Sequence, residues 1–373
     1  MNIAIIGCGS MGKAHTYAIN NLKYYFSKPI DVTIKTVCAA HESSAKEFAK
    51  TYGIPNYTDN EDDAIYDESI DIIDICTPNI YHFETAKKAI LAGKNIYCEK
   101  PLCINYSEAK ELAELAKEKG VYAQIVFNNR FLSAVLCAKE LIESGRIGRI
   151  LSFDVKYYHS SATDKEKRAT WKQNSDICGA GTLFDLGSHA VDLAYYLMGE
   201  FDSVFGKSQI AYEIRKGADG EDWETNGDEA FYIFAKLKNG ACGNISVSKI
   251  AVGTNDDLRF EIYGELGSLK FNLMDINYLD FYDGTKKSGN YGIENGYTRI
   301  ECVNRYPLPG GIFPSVKAPI GWIRGHIGSY YSFLDAIENK KETSPSFEDG
   351  AYVQKILDTA KESDKKGIEM KIE

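Results

Sequence analysis

The chain opens on an apolar run, Ile3 to Ile6, that ends in Gly7-Cys8-Gly9-Ser10-Met11-Gly12 and continues with helical composition from Lys13 to Leu22. Such a run suits a strand buried on both faces of a parallel sheet. Strand, glycine turn and helix in that order is the setting in which G-x-G-x-x-G binds a dinucleotide. Gly7 permits the tight turn, Gly9 lets the backbone approach a pyrophosphate, and Gly12 lets helix and strand pack closely. The helix N-terminus, at Ser10 and Met11, offers amides and a partial positive charge to the phosphates. A glycine-rich turn without a ligand is the alternative, and the position directly after an apolar strand argues against it.

The following residues continue the pattern. Strand-like runs at Val32–Ala39, Ile54–Tyr57, Ile70–Cys76, Asn95–Cys98 and Tyr122–Phe127 alternate with helical stretches. Ser44 with Glu47 three residues on reads as a capping box, and Gly93 and Gly120 close two later helices. Alternation of this kind predicts a Rossmann-type, doubly wound parallel α/β sheet over residues 1–127. Beyond it, strands near Ile150–Tyr158, Ser203–Tyr212, Glu229–Leu237, Cys242–Lys249, Arg259–Tyr263, Ser268–Asn272 and Tyr278–Tyr282 surround one helix, Thr182–Met198. Asn239-Gly240 is a hairpin signal. Residues 128–373 are therefore expected to form an α+β domain on an open, mostly antiparallel sheet, for substrate binding and oligomerisation.

Composition narrows the partners. A length of 373 residues supports two cores, and a net charge of −10 argues against nucleic acid and anionic membranes. No apolar run reaches the ~18 residues of a membrane span. The first strand has no basic region before it, which reads as no signal peptide. Nine cysteines without a C-x-x-C predict reduced thiols in the cytoplasm, with no zinc site.

Three constellations carry possible chemistry. Cys98-Glu99-Lys100-Pro101 ends the fifth strand, where open α/β sheets place ligands. Lys100 there can bind a substrate hydroxyl and move its proton; a solvated surface lysine is the alternative. In Gly181 to Asp192, Asp185, His189 and Asp192 fall on one helical face, so the imidazole can be held in one tautomer and used as acid or base. An ion-paired histidine on a capped helix competes with that reading, and a metal site is weaker still. Phe127-Asn128-Asn129-Arg130-Phe131, at the end of the sixth strand, can face a ligand or make structural hydrogen bonds.

These residues resemble the oxidoreductase family of glucose–fructose oxidoreductase, inositol dehydrogenase and the rhizopine-catabolism proteins (Gfo/Idh/MocA). The resemblance runs through Gly7–Gly12 with His15, Cys76-Thr77-Pro78-Asn79 with His82, Gly93 to Pro101, Asn129-Arg130-Phe131, Gly181–Asp192 and Phe347-Glu348-Asp349-Gly350. The stretch from Gly12 through Phe26 and Pro29 is similar to the family's levoglucosan-dehydrogenase branch. The resemblance implies hydride transfer between a nicotinamide and a ring carbon of a sugar, glycoside or cyclitol. It implies Lys100, Asp185 and His189 at the reacting hydroxyl, with His189 or Lys100 handling the proton. Cofactor contacts would come from Gly7, Gly9, Ser10, Met11, Gly12, Ala40, His41, Thr77, Pro78, Asn79, His82, Glu99 and Lys100. Substrate contacts would come from Lys100, Asn129, Arg130, Trp171, Asp185 and His189. A homodimer or homotetramer through the C-terminal sheet is also implied.

The second strand ends Cys38-Ala39-Ala40-His41, without the acid that usually holds a ribose. Nor does a basic residue stand ready for a 2′-phosphate, apart from Lys46. The cofactor reads as NAD(H), with NADP(H) as the alternative. A glycosidase working through transient oxidation, and a catalytically silent cofactor-binding sensor, are the competing functions.

Overall fold

Every residue of β1 (Asn2–Ile6) but the first is buried, as its apolar run requires. Around it lie α1 (Ser10–Tyr25), β2 (Thr33–Cys38), α2 (Glu42–Tyr52), β3 (Asn56–Thr58), α3 (Glu61–Ile65), β4 (Ile72–Ile75), α4 (His82–Leu91), β5 (Asn95–Cys98), α5 (Tyr106–Lys119) and β6 (Ala123–Ile125). The strands form one sheet in the order β3-β2-β1-β4-β5-β6, every pair parallel. The order reverses between β1 and β4, and the crevice at the carboxyl ends of these strands is where such sheets bind ligands. A computed structural model describes residues 1–217 and 220–373. They fall into two units: Met1–Asn128 with Tyr306–Ser315 and Ile323–Gln354, and Asn129–Arg305 with Val316–Trp322 and Lys355–Glu373.

The second unit begins with α6 (Ser133–Glu143), β7 (Ile150–Tyr158), α7 (Ser175–Cys178), α8 (Thr182–Asp185) and α9 (Gly187–Met198). Then come β8 (Phe201–Gln209), β9 (Ile214–Lys216), β10 (Asp222–Glu224), β11 (Ala230–Leu237), β12 (Cys242–Ser248), β13 (Asp257–Gly264), β14 (Gly267–Asn272), β15 (Tyr278–Asp283) and β16 (Tyr297–Glu301). After α10 (Ile323–Asn339) and α11 (Phe347–Lys366), β17 (Met370–Lys371) closes a nine-stranded sheet, β16-β15-β14-β13-β7-β12-β11-β8-β17. β7 and β12 are parallel and their neighbours antiparallel, so the expected open sheet is mixed at its centre. The Asn239-Gly240 turn joins β11 to β12, with Gly240 at φ +90°. Among the described residues, no helix is long and apolar enough to cross a membrane.

α10 joins the first unit through its apolar face. Ile327, Tyr330, Tyr331, Phe333 and Leu334 share a core with Ile3, Ile5, Leu22, Phe26 and Tyr97. Phe26 and Tyr331 stack with centroids 3.6 Å apart. Three local expectations fail. The expected helix Thr182–Met198 is interrupted at Leu186, because glycine and serine are weak helix formers and Ser188 turns its hydroxyl back to the Asp185 carbonyl. The strand expected over Ser203–Tyr212 stops at Gln209, where the Ala211 and Tyr212 amides donate to the Glu229 side chain instead of to a ladder. Ser44 lies inside α2, which starts at Glu42 with His41 at its cap.

Candidate active site

The turn after β1 is shaped by contact and by space. Gly7 has φ +115°, and a Cβ there would stand 2.5 Å from the Cys76 carbonyl oxygen. A Cβ on Gly12 would stand 2.2 Å from the Gly7 carbonyl oxygen. A Cβ on Gly9 would meet nothing within 4 Å. α1 begins at Ser10 after Gly9, which supplies no side-chain cap, and carries no acid in its first turn. Open space at Gly9 and an uncapped, positive helix end fit a dinucleotide pyrophosphate.

The other expected cofactor residues divide into two groups. Ala40 and His41 are exposed just beyond β2. Thr77 and Pro78 follow β4 and are half-buried, and Asn79 is buried. The Thr77 hydroxyl oxygen is buried without a hydrogen-bond partner, which leaves it for a ligand. His82 turns inward instead. Its ring nitrogens lie 2.9 Å from the Pro101 carbonyl and 2.9 Å from the Thr77 carbonyl, so it ties two loops of the crevice together. Burial holds its pKa below the usual histidine value, and the neutral ring donates to one carbonyl at a time. Glu99, also expected at the cofactor, directs one carboxylate oxygen to His15 at 3.2 Å and the other to the Lys100 amide at 3.1 Å. Both side chains are spent on the protein because each is buried and must be satisfied there. Lys100 follows β5, half-buried.

In the second unit, Asp185 ends α8 and His189 lies in the first turn of α9. The Asp185 carboxylate receives the Lys249 ammonium at 2.9 Å and the Lys172 ammonium at 3.0 Å. Lys249 follows β12 and is buried. Nothing in its local sequence singles it out, since its partner is far away in the chain. Trp171 opens the short turn that carries Lys172, whose ammonium lies 5.7 Å from the indole centroid. The Asn129 amide lies 3.3 Å from His189 Nδ1, and Tyr157 meets the imidazole edge-on at 5.9 Å.

Arg130, expected either at a ligand or in structural hydrogen bonds, makes structural ones. Its Nε and Nη2 donate to Asp192 at 3.0 and 2.6 Å, and its guanidinium stacks over Tyr196 at 4.8 Å. Both partners are buried, and a buried guanidinium needs such a fork-shaped acceptor. Asp192 therefore braces Arg130.

The nucleotide cradle and its strand-end lysine define an NAD-binding oxidoreductase. The chain belongs to the Gfo/Idh/MocA family: residues 1–127 match the oxidoreductase family's NAD-binding Rossmann fold, and residues 139–372 its C-terminal alpha/beta domain. It is 32% identical to levoglucosan dehydrogenase of Pseudarthrobacter phenanthrenivorans, over 97% of this chain and 96% of that one. It is 28% identical to glucose-6-phosphate 3-dehydrogenase of Bacillus subtilis, over 99% and 98%. A solved structure of levoglucosan dehydrogenase in complex with NADH and L-sorbose matches with a TM-score of 0.96 at 32% identity, covering 100% of this chain and 99% of that chain.

Proposed function

We propose that this protein is an NAD-dependent dehydrogenase that oxidises a ring hydroxyl of a neutral sugar or anhydrosugar. The observation that carries this reading is the full-length similarity to levoglucosan dehydrogenase. Gly7, Gly9, Gly12, the Ser10 and Met11 amides, and Thr77 would hold the cofactor, with Pro78, Asn79, Ala40 and His41 beside it. NAD is favoured over NADP because Ala40 and His41 bring no fixed cation, and Lys46 lies over the Tyr57 ring, 5.9 Å from its centroid. When bound, NAD supplies the hydride acceptor.

The chain's own groups handle the hydroxyl and its proton. Lys100 donates a hydrogen bond to the reacting oxygen and favours its developing negative charge. Asp185, held by Lys172 and Lys249, accepts hydrogen bonds from substrate hydroxyls, with Trp171 beside that lysine as an apolar wall. His189 takes the proton. The Asn129 Oδ1 is buried without a partner while its amide faces His189 Nδ1. An amide turned by half a revolution would place Oδ1 against Nδ1–H, satisfy that oxygen and leave the Nε2 lone pair for the substrate proton. His189→Asn is expected to abolish the rise of sugar oxidation with pH and to lower turnover by about 10²–10⁴. A variant whose pH–rate profile matches the wild type assigns the proton to Lys100.

The oligomer is read from one sheet face. Phe205 and Phe234 are cross-strand partners on β8 and β11, and with Tyr232 they stand 40%, 49% and 45% exposed. A second copy of this chain covering that face would make a homodimer or homotetramer. Light scattering at micromolar concentration is expected to give at least twice the 41.6 kDa chain mass. A monomer there refutes the assignment. All nine cysteines are free, which supports a reducing, cytoplasmic setting.

A further inference from the structure

The first unit buries a charged cluster that hydride transfer does not call for. His15, on α1, is fully buried. Its Nδ1 lies 2.8 Å from the Asp74 carboxylate on β4 and 3.1 Å from the Cys76 sulfur, and its Nε2 lies 3.2 Å from Glu99. Tyr330 of α10 donates to the other Asp74 oxygen at 3.2 Å. The rings of Tyr97, Tyr330 and His326 close the cluster around the imidazole. Burial works against a charged imidazole. The Asp74 carboxylate, with Cys76 beside it, outweighs burial and lifts the His15 pKa well above the usual histidine value. Burial would likewise raise Glu99, but its contact with His15 prevails and brings it down to about 2.

These donors also have the spacing of a metal site. A metal ligand, however, must present a ring lone pair. Here each ring nitrogen is at hydrogen-bond distance from a carboxylate oxygen, an arrangement that calls for an N–H on both. An imidazolium between the two carboxylates satisfies both ring nitrogens of His15 and one oxygen each of Asp74 and Glu99 without an ion.

We propose that His15 is a positioning residue for Lys100, acting through the Glu99 carboxylate. One oxygen of Glu99 is held by His15 and the other accepts the Lys100 amide, so a group on α1 fixes the backbone from which the Lys100 side chain extends. Truncating the clamp frees that carboxylate to turn away, and the Lys100 ammonium loses its fixed origin. A shift of about 1 Å in a reacting group can cost ~10²-fold in rate. The importance for turnover rests on the proposed role of Lys100; the positioning itself does not.

The test uses the full-length protein with reductively ¹³C-methylated lysines, the Lys100 signal being assigned with Lys100→Arg. Glu99→Gln and His15→Gln/Glu99→Gln are compared with the wild type by NMR, by NADH fluorescence titration and by turnover of levoglucosan with NAD. Glu99→Gln is expected to shift the Lys100 signal and to keep the NADH Kd within about 3-fold. The double variant, which removes both charges together, is expected to give the same shifted signal, because both residues act through one contact. Any turnover is expected to fall ~10–100-fold in kcat with little change in KM. His15→Gln alone, with Glu99 intact, is expected to move the Lys100 signal in the same direction, and an unmoved signal in that variant overturns the proposal; should it fail to fold, His15→Asn takes its place. An unmoved Lys100 signal in Glu99→Gln overturns the proposal, whatever the substrate is. So does a stoichiometric metal in the purified protein that chelation removes with a change in that signal. A shifted signal in Glu99→Gln combined with undiminished turnover in Lys100→Ala would leave the positioning intact and fault the catalytic role of Lys100.

Discussion

Replacing Lys100 by alanine is expected to lower turnover by about 10²–10⁴ while leaving NADH affinity within a few-fold of wild type. Lys100 follows the buried β5 and keeps its side chain half-buried rather than solvated. In the proposed reaction its ammonium has a second task that no neutral group can copy, because negative charge develops on the substrate oxygen as its proton leaves. Stopped-flow turnover beside an NADH fluorescence titration separates the two effects. Near-normal turnover in Lys100→Ala would remove the residue from the mechanism. A loss of turnover matched by an equal loss of NADH affinity would make it a cofactor contact instead.

Gly9→Val is expected to leave the fold intact and weaken NADH binding by on the order of 100-fold or more, about 2.7 kcal/mol or more. The structural reason is the empty space around the missing Cβ, where nothing lies within 4 Å. The Cβ of a branched side chain there meets no protein atom within 4 Å, and the branch extends toward the room left for the pyrophosphate. Gly12→Ala is the control with the opposite cause: its Cβ would stand 2.2 Å from the Gly7 carbonyl oxygen, an overpacking that costs roughly 1–3 kcal/mol of stability. Thermal unfolding and NADH titration of both variants distinguish them. Unchanged NADH affinity in Gly9→Val would contradict the cradle.

Much of this was legible in the sequence wherever chemistry and chain order coincide. The glycine turn works because Gly7, Gly9 and Gly12 are close neighbours between one strand and one helix, and the alternation up to residue 127 fixes the first sheet. The position of Lys100 just after a buried strand was legible too, since the strand-like run Asn95–Cys98 forms β5. Legibility failed where partners are distant. His15 reads as one polar residue on a helix, and its carboxylates come from strands 59 and 84 residues further on. Arg130 could be read either as facing a ligand or as structural, because Asp192, 62 residues away, could not be known as its partner. Lys249 was invisible for the same reason. α10 follows the second unit in the chain, yet packs on α1 in the first, because its apolar stripe of Ile327, Tyr330 and Leu334 matches that core. The interrupted helix at Leu186 is a local miss: a Gly-Ser pair was given too little weight against the apolar residues around it.

The central claim is that the chain passes hydride from a sugar ring carbon to NAD. It is tested most directly by following absorbance in the NADH band while the wild-type protein is incubated with NAD and a panel of levoglucosan, free pyranoses, sugar phosphates, glycosides and inositols. Stoichiometric NADH formation is expected with at least one neutral sugar or anhydrosugar, accompanied by the oxidised sugar as product. Cleavage of a glycoside without net NADH, or no NADH from any member of the panel by a protein that binds NAD, would contradict that claim.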